Sequence, residues 1–130
     1  MAVAGTESTS VKHAHGTALI AAINADTVIA IPAKAGVQII VDDGWMRSTG
    51  AADTATSVDW SDGTNAAVAF AVAALTDAAI TRPGAANTTA TNLGLPLAVN
   101  KPVVVKSTGG NVGTATAMEW YIKYHEARIT

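Results

Sequence analysis

The chain has 130 residues, a formal net charge of −2, 14% charged side chains and no cysteine. That length suits one domain, and the missing cysteines exclude disulfides, thiolate metal sites and cysteine nucleophiles. The eight Lys and Arg are scattered singly, which argues against a nucleic-acid partner, because such binders carry a basic stripe to neutralise phosphates.

Residues 1–10 (MAVAGTESTS) are small and polar without periodicity, and they read as a flexible N-terminal arm. No basic segment followed by an apolar one appears there, so no signal peptide is expected. The β-sandwich domain is expected over 11–130. Thr27–Ile31 is a β-branched run stopped by Pro32, and 32–36 is a turn. Val37–Val41 (VQIIV) is the most strand-prone segment, and Asp42-Asp43-Gly44 is a strong turn signal after it. Trp45-Met46-Arg47 is a candidate to resume that strand beyond a bulge.

Ser57-Val58-Asp59-Trp60 alternates polar and apolar, and Ser61–Thr64 closes it with a turn. Residues 65–80 are ambiguous: Val68, Phe70 and Val72 alternate as in a strand, while the alanines favour a helix. The favoured reading is a strand to about Val72 followed by a short helical turn. The longest apolar run, Ala66–Leu75, is half the length of a membrane span, so no membrane partner is expected. Between Arg82 and Asn100 the residues are those of an extended loop with room for one short strand.

Lys101–Lys106 (KPVVVK) is a strand, and Ser107–Asn111 is a glycine-rich turn. From Thr116 to His125, Met118, Trp120, Ile122 and Tyr124 point to one face, and Glu119, Tyr121, Lys123 and His125 to the other. These two segments are expected to form a C-terminal β-hairpin. Short strands separated by Gly, Pro, Asn and Asp turns indicate an all-β fold, a single antiparallel β-sandwich of jelly-roll-like type.

Several clusters carry groups capable of chemistry. His13 and His15 lie on one strand face at a spacing that can bind a metal, with His125 or a carboxylate such as Glu126 as a third ligand in a trimer. The plainer reading is polar surface, and no metal or other cofactor is expected. Asp42-Asp43-Gly44 and Asp59 with Asp62-Gly63 gather carboxylates, but they lack the spacing of a calcium loop and contain turn dipeptides. No nucleophile elbow occurs, and Gly109–Gly113 joins two strands, where a phosphate loop would open a helix. No catalytic residue is expected, and the chain reads as non-enzymatic. Of three tryptophans, Trp120 belongs to the alternating apolar face, while Trp45 and Trp60 adjoin turns and are the candidates for a contact with a glycan or another subunit.

The chain is 49% hydrophobic, and Ala and Thr make up roughly a third of it. Many small apolar side chains with few charges suit a surface buried against other subunits, and they equally suit a merely alanine-rich proteome. The order of segments, IPAKAGVQIIV, SVDWSDGT, AAVAFAVAAL and KPVVVKSTGG…GTATAMEWYIKYH, resembles small, Ala/Thr/Gly-rich virion proteins of tailed bacteriophages. The resemblance implies an all-β, jelly-roll-like capsid decoration (cement) protein. It also implies self-association as a homotrimer, with the major capsid protein or other virion proteins as partners, and a virion location after assembly in the host cytoplasm. A tail, head-fibre or baseplate component is the alternative within that resemblance. A carbohydrate-binding jelly-roll module is the alternative outside it.

Overall fold

In a computed structural model of the chain, residues 5–7 and 10–129 are described. Ten strands form two antiparallel sheets packed as a sandwich: β1 (Gly5–Glu7), β2 (Lys12–Leu19), β3 (Val28–Ile31), β4 (Val37–Thr49), β5 (Ser57–Ser61), β6 (Ala66–Ala71), β7 (Ile80–Thr81), β8 (Thr88–Thr91), β9 (Val103–Thr108) and β10 (Ala117–Ile129). The first sheet runs β1–β10–β4–β7, with β2 lying beside β10 further along the same edge as β1. The second runs β3–β9–β5–β6–β8. One short helix, α1 (Ile20–Asn24), links β2 to β3.

Alternation explains which sheet faces which. Met118, Trp120 and Ile122 of β10 point inward and meet Val58, Trp60, Val68, Phe70, Val103 and Val105 from the second sheet in one core cluster. Trp60 and Phe70 are fully buried and pack edge to face, with ring centroids 5.0 Å apart. The all-β sandwich expected from short strands and turn residues is therefore the fold.

Two local expectations are corrected. The first is the C-terminal hairpin: β9 and β10 lie in different sheets. Both edges of β9 are taken by β3 and β5, and both edges of β10 by β2 with β1 and by β4. The link between β9 and β10 crosses the end of the core, burying Val112 and Ala115 on the way. Asn24 holds it from α1, accepting from Val112 N–H at 2.8 Å and donating to Val112 C=O at 3.0 Å. Period-2 alternation specifies the face of a strand but not its neighbour.

The second correction concerns Asp42-Asp43-Gly44, which does not turn the chain, although Trp45-Met46-Arg47 does resume the strand beyond a bulge as expected. β4 continues through it as one 13-residue strand. Against β10, Tyr124 pairs with Val41 and Lys123 with Asp43, leaving Asp42 as the extra residue of a bulge. Gly44 follows at φ +151, and a Cβ there would sit 2.1 Å from the Tyr121 carbonyl and 2.7 Å from the Trp60 indole. Glycine at this point lets Trp60 of one sheet nest under the backbone of the other.

The ambiguous segment resolves as a strand to Ala71 and a 3₁₀ turn over Val72–Ala74. Ala67 and Ala69 are buried by the chain's own strands, so the small side chains there serve packing within the fold. Of the stretch read as an arm, Gly5–Glu7 pairs with Ala127–Ile129 of β10. Residues 1–4, 8 and 9 lie outside the described residues. Among the described residues no helix is long and apolar enough to cross a membrane.

Candidate functional site, the outer face of the first sheet

The outward positions of β2, β10 and β4 fall in register across three strands. Thr17, Glu119 and Arg47 form one row, His15, Tyr121 and Trp45 the next, and His13, Lys123 and Asp43 a third. Directly opposed side chains on one sheet face interact, and these rows are knitted together. Glu119 accepts from His15 Nε2 at 2.7 Å and from Arg47 Nε at 3.0 Å. A second bond to Glu119 comes from the Arg47 terminal nitrogen. Trp45 and Tyr121 stack with centroids 6.2 Å apart, the His15 ring lies 6.0 Å from Trp45, and the Arg47 guanidinium lies 5.9 Å from the Trp45 ring centre. His13 stacks on Tyr121 at 5.5 Å and hydrogen-bonds its hydroxyl.

Electrostatics follow from this arrangement. The His15 and Arg47 donors hold the Glu119 carboxyl below the usual carboxylate range. A depression of about 310 Å³ opens beside the Thr17 row, lined among others by Thr17, Arg47, Asp77 and Glu119. The result is a flat, preorganised patch of aromatic and paired polar groups. Side chains held this way lose little freedom when a partner docks.

The residues singled out in the sequence separate clearly. His13 and His15 share a face as expected, but each is engaged by a neighbour from β10. His125 stands apart, past the bulge, with its Nδ1 2.8 Å from Asp42. Glu126 pairs with Lys34 at 3.3 Å. Among the described residues no three His, Asp or Glu side chains converge on a metal position.

The other carboxylates have structural partners. Asp59 accepts from Ser57 at 2.6 Å and Thr108 at 2.8 Å. Asp62 accepts the backbone N–H groups of Thr64, Asn65 and Ala98 at 2.7–2.9 Å, clasping the β5–β6 turn to the 96–98 segment. Burial pushes the Asp62 carboxyl up, yet the N–H groups of Asn65, Ala98 and Thr64 outweigh it and hold it below the usual range.

Trp120 is in the core, as its alternation implied. Trp60 is fully buried, which removes it as a contact residue; its place at the end of β5 near a turn concealed that it faces inward. Trp45 is half-buried on the outer face. Arg47, Glu119 and Tyr121 join the site although no motif in the sequence marks them. The signal was available in the alternation of 116–125, which turns Glu119 and Tyr121 outward. Arg47 needed the cross-strand register. No family model, curated protein or solved structure matches the chain.

Proposed function

We propose that this protein is a non-enzymatic virion component that decorates a tailed-phage capsid and docks through the outer face of its first sheet. The observation that carries the docking face is the Trp45–Tyr121–His15 row with the Arg47–Glu119 pair. Trp, Tyr and Arg are the residues that concentrate binding energy at protein interfaces, and charged side chains there act best when already paired. The phage setting rests on the resemblance of the segment order. In this reading the sandwich is a rigid platform, and several copies engage a repetitive shell at once, so avidity supplies the hold.

Heads assembled without this protein, mixed with the purified chain and pelleted, test it. Wild-type protein should pellet with the heads, and Trp45→Ala with Tyr121→Ala should reduce the bound fraction at least tenfold. Wild-type protein left in the supernatant overturns the reading. Imaging of decorated particles separates a regular array on the head from density at a tail or fibre.

Trp45 also favours a second reading, a carbohydrate contact, because a half-exposed indole beside Arg and Glu donors and acceptors suits a sugar ring. Glycan-array binding that disappears in Trp45→Ala supports it, and a blank array removes it.

A further inference from the structure

Strand β2 is bonded to β10 through eight successive register pairs without a shift. The bond from Ile20 N–H to the Thr116 carbonyl fixes the phase of that ladder. Lys12, Ala14, Gly16 and Ala18 therefore turn their backbone groups toward β10, and His13, His15, Thr17 and Leu19 turn theirs away from it. No described strand lies on that side. The other outermost strands are short: β7 has two residues, β1 three, and β3 and β8 four each with an irregular register.

Long open edges are normally blunted by proline, bulges or charge, since they invite another strand. β2 has no proline and no bulge, and its one lysine, Lys12, is its first residue. The residue just before it and its last residue are apolar and open: Val11 is 48% and Leu19 69% exposed. Exposed apolar side chains at both ends of an open edge are self-complementary in an antiparallel pair.

We propose that β2 pairs with β2 of a second copy, antiparallel, about a two-fold axis through His15. In that register His15 faces its own counterpart, His13 faces Thr17, and Val11 faces Leu19 on both sides of the axis. His15 with its counterpart and His13 with Thr17 have outward backbone groups and exchange hydrogen bonds, while Val11 and Leu19 add side-chain contact, since the Leu19 carbonyl caps α1. Lys12 falls opposite Ala18, which keeps like charges apart. A one-residue slip would oppose inner-face to outer-face side chains. A two-residue slip in either direction breaks the Val11–Leu19 pairing.

The dimer would continue the aromatic row across the axis as Trp45, Tyr121, His15 and then the same three of the second copy in reverse. This pairing does not depend on what the outer face binds. It makes the unit a dimer at this edge, where the resemblance implies a trimer.

The chain has no cysteine, so a single engineered thiol reports the geometry. Hydrogen-bonded partners in an antiparallel pair have Cα atoms about 5.5 Å apart, within reach of a disulfide. Sedimentation of the full chain at micromolar concentration should give the mass of a dimer. Under mild oxidation His15→Cys should cross-link at least tenfold faster than Lys123→Cys, whose thiol would lie one strand in from the edge. Leu19→Asp, at a position too exposed to matter for folding, should raise the dimer dissociation constant at least tenfold. A monomer or trimer by sedimentation overturns the proposal, as does equal cross-linking of the two cysteine variants or a dimer indifferent to Leu19→Asp. The head-pelleting assay reads independently, so a monomer that still binds heads would sink the dimer and leave the docking face standing.

Discussion

The outward positions of the two sheets follow the same alternation and end up with opposite characters. At the centre of the second sheet Ser57, Asp59, Ser61 and Ala69 face away from the core yet are buried, while Ile29 on its outer strand is 59% exposed. Asp59 accepts from the Ser57 and Thr108 hydroxyls locally. On the first sheet, outward Trp45, Arg47, Glu119, Tyr121, His13 and His15 are exposed or half-buried and bond to one another across strands, while Gln38 and Ile40 beyond the bulge are buried. A strand facing solvent thus has two uses. Small side chains seal the backbone, and large paired ones present a surface.

The contrast is tested first by tryptophan. Trp60→Ala should cost about 3–5 kcal/mol of unfolding free energy, as large core truncations do. Trp45→Ala should stay within about 1 kcal/mol in the same urea titration. Comparable losses at the two sites would erase the distinction between core and platform. Gly44→Ala should come close behind Trp60→Ala, at about 3 kcal/mol. The new Cβ meets both the Tyr121 carbonyl and the Trp60 ring, and overpacking adds to left-handed strain.

Asp62→Ala should cost about 2–3 kcal/mol, because three backbone N–H groups lose a charged acceptor. Its folded-state carboxyl titrates below the unfolded one. Its contribution is therefore present above the unfolded-state value and disappears as pH falls through the folded one. In Asp62→Asn, acid unfolding followed by circular dichroism should show a weaker stability loss across that window than in the wild type. On the second sheet's outer face, Asp59→Ala should cost about 1–2 kcal/mol by stranding the buried Ser57 hydroxyl.

The smallest effect on folding is expected at Glu119→Gln on the first sheet. Its carboxyl is lowered by His15 and Arg47 on an open surface, where such pairs add little to stability. The sign is the same as for Asp62, so what stability it adds fades on acidification. The readout that should move is partner binding, since Arg47 and His15 lose the carboxylate that orients them.

Much of this was legible from residue order. SVDWS is β5 and VQIIV begins β4; AMEWYIKYH lies within β10 with the expected faces. The helical turn after Ala71 also follows from its composition. What escaped was pairing. KPVVVK and AMEWYIKYH look like a hairpin because a glycine turn lies between them, yet each strand already has two neighbours drawn from elsewhere in the chain. Asp42-Asp43-Gly44 looks like a turn because bulges and turns draw on the same residues. The outer-face cluster required three strands from opposite ends of the sequence to be aligned. Local periodicity gives each strand its faces and says nothing of register between strands far apart in the chain.

Docking through the first sheet's outer face is the proposal on which the rest depends. Hydroxyl-radical footprinting of free protein and of protein bound to heads reads it directly, because Trp45 and Tyr121 are reactive and half-exposed. The account predicts strong protection of both on the particle, with Trp60 unreactive in either state. Unchanged labelling of Trp45 and Tyr121 on decorated heads would contradict it.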